Sequence, residues 1–191
     1  MPTARQLARR ERILETARLL AAKGGLDTLQ MRDVARGAGV SLSTLYRHHA
    51  SKAHLVLALM TRELERLRQE LADEPPPGDG PVPRVRHVLH HIAYTWAASP
   101  PAADAMLRAY LTAGPEAEEL RRAAGQTLRE LLVLAMWGPE NDQRPGDQAV
   151  ARTLETLLVG CLAGWASERA TTEELLGDLD LTTRALLSSR S

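Results

Sequence analysis

Apolar residues recur along this chain at intervals of three and four, the spacing that gathers side chains on one face of an α-helix. Ile13, Leu14, Ala17, Leu20 and Ala21 make one such stripe on an Arg-rich helix from Ala4 to Lys23, which Gly24 and Gly25 stop. A short second helix from about Gln30 turns Met31, Val34 and Ala35 inward and leaves Arg32, Asp33 and Arg36 outside. Gly37, Ala38 and Gly39 then form a turn small enough for two helix axes to cross closely, with Val40 plugging the angle. Ser41 offers a hydroxyl to the free amides that open a third helix, Leu42 to His49. That helix buries Leu45 and presents Leu42, Ser43, Thr44, Tyr46, Arg47 and His48. Two short helices joined by a tight, Gly-containing turn form a helix-turn-helix, whose second helix can enter a DNA major groove.

The same period continues to the end. Ser51 caps a long fourth helix through about Leu71, with Leu55, Leu59, Leu64, Leu67 and Leu71 on its inner side. Residues 73–83, DEPPPGDGPVP, cannot be helical, because prolines lack amide donors and glycines are flexible, so they connect into the second half. Val85, Val88, Leu89, Ile92 and Trp96 line a helix ending before Pro100, and Pro101 sits in the first turn of the next, which reaches about Thr112. Beyond Gly114 and Pro115 a long helix runs through Trp137 with Leu120, Leu128, Leu131 and Leu132 inward. Residues 138–146, GPENDQRPG, form a polar loop expected to be mobile. Asp147 opens a helix with a broad apolar face of Val150, Leu154, Leu157, Leu158, Cys161, Leu162 and Trp165. The capping box from Thr171 to Glu174 opens the last helix, to about Ser188, lined by Leu175, Leu179, Leu186 and Leu187. The expected fold class is all-α, about nine helices without a convincing strand.

Composition and charge add three things. The chain has 191 residues, ample for a buried core, yet only 3% are aromatic and none is Phe, so Leu, Ala and Val must build that core. The net charge is zero but unevenly placed: residues 1–55 carry ten Lys and Arg against four Asp and Glu, and the rest fourteen against twenty. A basic first quarter on an acidic body suits a protein that meets phosphates at one end. The single cysteine, Cys161, excludes an internal disulfide and fits a reducing compartment. The basic N-terminus has no apolar signal core, and no uninterrupted apolar run of about 18 residues exists to span a bilayer, so a cytoplasmic protein without a membrane partner is expected.

The run V-S-x-x-T-L-Y-R-H-x-x-S-K, from Val40 to Lys52, resembles the DNA-binding domain of TetR-type bacterial repressors. The likeness extends back through Gly25 to Ala35 and to Arg12-Ile13-Leu14 and Ala17, and covers about the first 55 residues. A lone A-x-x-x-G turn is common in Ala-rich helical proteins; the whole string at this spacing is far more specific. The resemblance implies particular roles. Tyr46 and Lys52 match phosphate-holding positions, Lys52 at a helix start whose dipole also favours an anion. Thr44 matches a position reaching phosphate or a base edge. Arg32 matches a base-reading position where a guanidinium can take guanine O6 and N7 together. Arg47 and His48 are expected at phosphates or base edges, Ser41 and Ser43 belong to the same contact surface, and Leu42 can meet only a thymine methyl. The chain departs from the family pattern at Leu26, where an aromatic ring is usual, at Gln30, where a Ser or Thr cap is usual, and at His49, which replaces a buried aromatic and reads as structural.

The resemblance further implies a DNA-binding domain at 1–55, a ligand-binding and dimerisation domain at 56–191, and a symmetric homodimer in which the last two long helices pack on their own copies. Leu154, Leu158, Cys161, Leu162, Trp165, Leu175 and Leu179 are the expected interface, with Gly160 and Gly164 admitting close approach, although a monomer core would use many of the same leucines. His90, Tyr94, Trp96, Met106, Arg108, Tyr110, Met136, Trp137 and Trp165 are the candidate pocket for a small hydrophobic effector, with Arg108 placed to meet an acidic ligand group; at helical spacing they serve equally as core. His87, His90 and His91, at i, i+3 and i+4, are close enough to share a metal, but no Cys or carboxylate with ligand spacing accompanies them and no metal is expected. With no G-x-S-x-G, P-loop, H-E-x-x-H or dinucleotide glycine pattern, neither catalysis nor a cofactor is expected.

The expected function is therefore a ligand-responsive transcriptional repressor that binds an inverted-repeat DNA operator as a homodimer. Within the family, QMRDVA, TLYRHHASKAHL and the Ala105–Ala113 region look most like the KstR group of actinobacterial regulators of sterol and lipid catabolism, which implies an acyl-CoA thioester as effector. Two rivals stand beside it. A helical small-molecule binding protein without DNA binding is opposed by the charge of the first 55 residues and by Thr44, Tyr46 and Lys52. A metal-dependent helical enzyme would rest on the His87, His90 and His91 cluster.

Overall fold

A computed structural model describes residues 3–138 and 144–188, so most of the polar loop at 138–146 lies outside the described residues. Among the described residues there are nine α-helices and no strand: α1 Ala4–Thr28, α2 Met31–Gly37, α3 Leu42–His48, α4 Lys52–Asp73, α5 Pro81–Ala97, α6 Pro100–Thr112, α7 Glu118–Trp137, α8 Asp147–Ala166 and α9 Thr172–Leu187, with one 3-10 turn at Pro115–Ala117. The helices form two compact units, residues 1–62 with 99–124 and residues 63–98 with 125–191.

In the first unit α1 packs on α6 and α2, and α2 packs on α3. Helix α1 opens with a capping box of the Thr-x-x-Gln pattern: the Thr3 hydroxyl accepts from the Gln6 amide and the Gln6 side chain accepts from the Thr3 amide. The Gly24–Gly25 pair interrupts α1 without ending it. Gly25 sits at φ 71, and a Cβ there would come within 3.2 Å of the Pro101 carbonyl, so a glycine is needed both for the backbone angle and for the approach of α6. A last helical turn then resumes to Thr28. The turn between α2 and α3 passes through Gly39 at φ 65. Its interior plug is Ala38, 2% exposed, whereas Val40 is only half-buried, since the smaller side chain stands where the two helices meet. Ile13, Leu14, Ala17, Leu29, Val34 and Leu45 fill the space between α1, α2 and α3, each leucine contributing about 1.5–3 kcal/mol relative to exposure. Helix α4 is buried continuously from Leu55 to Met60, not along one stripe, and becomes one-sided only beyond Thr61.

In the second unit α9 packs against both α5 and α8. Val85, Val88, Leu89 and Ile92 of α5 are buried, as are Leu154, Leu158 and Leu162 of α8 and Leu175 and Leu179 of α9. Two charged groups enter this core with partners. Glu155 pairs with Arg129 at 2.5 Å, and the fully buried Asp147 accepts from the Trp137 indole at 2.8 Å and from the Arg144 amide at 2.7 Å. The Arg144 guanidinium lies 3.7 Å over the Trp137 ring. Helix α8 is long and apolar enough to cross a bilayer by length and composition alone; here one face of it is packed on α9.

Candidate nucleic-acid interface

Helix α3 is built from the outside in. The Ser41 hydroxyl accepts from the Thr44 amide at 3.1 Å and donates to the Thr44 hydroxyl at 2.8 Å, with Ser43 Oγ 3.1 Å away, so the first turn is held by its own side chains. Leu45 alone is fully buried, anchoring the helix and fixing which face points out. That face carries Leu42, 40% exposed, Tyr46, 49% exposed, and the exposed Ser43, Arg47 and His48. A leucine and a tyrosine displayed on a seven-residue helix are poorly explained by the stability of one chain. On α2, Arg32 is exposed, while Arg36 is held by Asp33 at 2.6 Å. Lys52, at the start of α4, donates from Nζ to the Leu26 carbonyl at 3.3 Å. That bond ties the resumed last turn of α1 to α4 and leaves two ammonium protons for an anion.

Behind this face lies a histidine pair. His49 caps α3, is 4% exposed, and has its Nδ1 3.4 Å from Nδ1 of His54, the rings meeting edge-on. Burial, reinforced by the charges of His54, His48 and Arg10, pushes the His49 imidazole down to about 4, so it is neutral at physiological pH and serves as packing. Burial also lowers His54, with Glu116 opposing. A five-residue separation across the α3–α4 turn gave no sequence signal for this contact.

Of the nine residues expected to form the effector pocket, His90 and Tyr94 line an open cleft of about 510 Å³ on α5 together with Pro77, Pro83, Arg86, His87, His91 and Thr95. His90 is fixed there by Asp180 of α9, 2.7 Å from its Nε2, and Arg86 reaches the same oxygen at 2.9 Å. Among the described residues no three His, Cys, Asp or Glu side chains are grouped to hold a metal, the His87, His90 and His91 set included. Arg108 grips both Asp27 oxygens, at 2.7 and 3.1 Å, between α6 and the last turn of α1. Each of those two groups accordingly stabilises the charge of the other, Asp27 shifted down and Arg108 up. Tyr110 has the Arg121 guanidinium 5.9 Å over its ring, Trp165 donates to Thr172 Oγ1 at 3.2 Å, Trp137 donates to Asp147, and Trp96 is half-buried; Met106 and Met136 are core.

The expected dimer leucines also need revision. Leu154, Leu158, Leu162, Leu175 and Leu179 are buried within one chain, because their helical stripe faces α5, α8 and α9 of the same unit. Cys161 and Trp165 remain half-buried. Leu157 is half-buried as well, and the apolar positions exposed on this side of α8 and α9 are Gly160 and Leu181, the latter at 65% exposure. A Cβ at Gly160 or Gly177 would meet nothing within 4 Å, so no neighbour in this chain requires a glycine there.

Comparison with known proteins places these features. Residues 13–59 match the model of bacterial regulatory proteins of the tetR family, and residues 78–186 match the tetracyclin repressor-like C-terminal domain. The chain is 34% identical over 187 residues to the HTH-type transcriptional repressor KstR of Rhodococcus jostii (strain RHA1), covering 97% of this chain and 86% of the relative. Its fold superimposes on a TetR transcriptional regulator from Rhodococcus sp. RHA1 with a TM-score of 0.85, at 26% identity over 96% of this chain and 97% of that one. It also resembles Thermus thermophilus FadR, a TetR-family repressor solved with lauroyl-CoA, with a TM-score of 0.69, 25% identity and coverage of 93% and 92%. The chain belongs to the tetR family of bacterial regulatory proteins, and it is a ligand-responsive transcriptional repressor.

Proposed function

We propose that this repressor acts in the cytoplasm as a homodimer, with residues 1–55 reading DNA and residues 56–191 binding the effector and the second copy. The observation that carries the DNA-reading role is the exposed face of α3, where Leu42 and Tyr46 stand outward on a helix anchored by Leu45. Thr44, Tyr46, Lys52 and Arg47 hold phosphates, with Ser41, Ser43 and His48 at the same surface; Arg32 reads guanine from α2, and Leu42 meets a thymine methyl. Two such heads about 34 Å apart read the half-sites of an inverted repeat.

The dimer forms through the outward face of α8 and α9 around Leu157, Gly160, Cys161, Gly177 and Leu181, an apolar surface that one chain leaves uncovered. The effector is an amphipathic acyl-CoA of a lipid or sterol. The likeness to KstR over nearly the whole chain and the lauroyl-CoA held by the FadR relative support that class. Binding releases the operator only through unequal affinity for two conformers, and coupling of about 1–3 kcal/mol weakens DNA binding about 5- to 150-fold. The two rival readings, a binding protein without DNA and an enzyme on the His87 cluster, are not favoured by relatives that are themselves repressors.

The test is selection of bound duplexes from a random library by the purified protein, followed by the salt dependence of binding to the winner. A palindrome with a steep negative salt slope is expected. A folded, dimeric protein that enriches no sequence at low salt overturns the operator-binding reading.

A further inference from the structure

A second cavity, of about 720 Å³, lies in the first unit and has a different character from the α5 cleft. Its rim carries Arg9 and Arg10 from α1 and Arg47 from α3, and no Asp or Glu lines it. Most other arginines of α1–α4 are neutralised, Arg18 by Glu15, Arg36 by Asp33, and Arg62 by Glu11. Among the described residues the three rim arginines have no carboxylate partner. The accessible apolar lining of the cavity is Leu7 of α1 and the half-buried Leu120 of α7, with Ile13, Ala58 of α4 and the His49–His54 pair closing the wall behind them and Gln6 and His48 adding polar groups. Leu7 is 51% exposed, a large apolar side chain held open at the mouth.

Uncompensated cations around an apolar hollow select for a molecule that is charged at one end and greasy at the other. Operator backbone alone does not account for the cavity, because a duplex is far too wide to enter it and would leave the apolar interior unfilled. The volume falls in the range of small-molecule sites.

We propose that this cleft is a second ligand site, for a small amphipathic anion whose phosphate, sulfate or carboxylate head meets Arg9, Arg10 and Arg47 and whose short apolar tail lies on Leu7 and Leu120. Arg47 cannot serve this head and an operator phosphate at once, so occupancy competes with DNA at the reading head itself. This consequence rests on the operator-binding reading above; the binding site does not.

The test uses the full-length protein and n-octyl phosphate, titrated calorimetrically without DNA beside inorganic phosphate and 1-octanol. Octyl phosphate is expected to bind at least on the order of tenfold more tightly than either control, and the Arg9→Ala/Arg10→Ala variant to lose on the order of tenfold. Should that variant fail to fold, Leu120→Glu, which puts a carboxylate inside the cleft, is expected to abolish binding. Adding the selected operator should weaken octyl phosphate binding to the wild type. Binding that survives both substitutions, or inorganic phosphate binding equally well, would overturn the site, and indifference to a bound operator would overturn the competition. A failed duplex selection beside intact, Arg-dependent octyl phosphate binding would instead remove the operator reading and leave the site.

Discussion

Helices α3 and α8 both turn outward side chains that a folded chain ordinarily hides, and they differ in how that face is defined. Helix α3 has seven residues and one anchor, Leu45, so everything else is displayed almost by default. Its cap, its anchor and its display fall within the eight residues from Ser41 to His48. Helix α8 has twenty residues and apolar groups around much of its circumference; which of them face another molecule depends on where α9 has already covered it. A short helix can thus declare its function locally. A long apolar one declares it only after its own core is subtracted.

Substitutions can break that contrast. The largest expected effect is Leu45→Ala, which removes the anchor of α3 and should cost about 2–5 kcal/mol in a denaturant titration. A loss below that range would mean that α3 is held by more than one residue. Leu181→Arg should leave the fold intact and weaken self-association on the order of a hundredfold in sedimentation experiments, a charge being costly to bury unpaired. An unchanged dimer would place the interface elsewhere.

The His49 site gives a pH test. Its folded value, about 4, lies below the unfolded value of about 6.5, so its contribution to stability is present above 6.5 and is lost as the pH falls towards 4. The loss should be on the order of 2 kcal/mol at pH 5, with His54 adding in the same direction. His49→Phe should flatten that part of the stability profile; a variant with the wild-type slope would exonerate His49. Arg32→Ala should cost about 1–3 kcal/mol at one base pair of each half-site and little elsewhere, measured on operators varied singly at each position. The smallest effect is that of Lys52→Gln, expected to lower the salt slope of operator binding by about two units, one from each protomer, without changing which sequence is preferred.

Much of the fold was legible because the apolar period is regular and its punctuation is local. Ser41, Gly39 and the Thr171–Glu174 box each act within a few residues, and the helices begin close to where such signals put them. The Pro-rich stretch expected to be non-helical from 73 to 83 is so only between α4 and α5, since Pro81 opens α5, where a proline at the first turn lacks no needed amide. The Gly24–Gly25 interruption was less legible, since a glycine pair looks the same whether a helix ends or resumes. The Gly25 position itself answers to Pro101, about seventy-five residues away, whose carbonyl stands against it. Pairings of that range have no sequence signature at all. Asp27 with Arg108 and His90 with Asp180 are 81 and 90 residues apart, and each alters the reading of a residue assigned to the effector pocket. Aromatic and sulfur-containing side chains told where bulk lies in the chain. They did not tell which of them share a cavity, because helical spacing fixes a face and not what stands opposite.

The Trp137–Asp147–Arg144 cluster has an optical consequence. Trp96, Trp137 and Trp165 are the chain's only tryptophans, and all three fall within residues 63–98 and 125–191. Residues 1–62 and 99–124 are therefore dark in tryptophan emission. Trp137, with its indole proton on a buried carboxylate and a guanidinium stacked on its ring, should emit at a wavelength that shifts whenever Asp147 or Arg144 moves. Unlabelled protein thus carries its own reporter for events in one unit and silence for the other, and a stopped-flow trace can time an effector's arrival without the operator contributing to the signal.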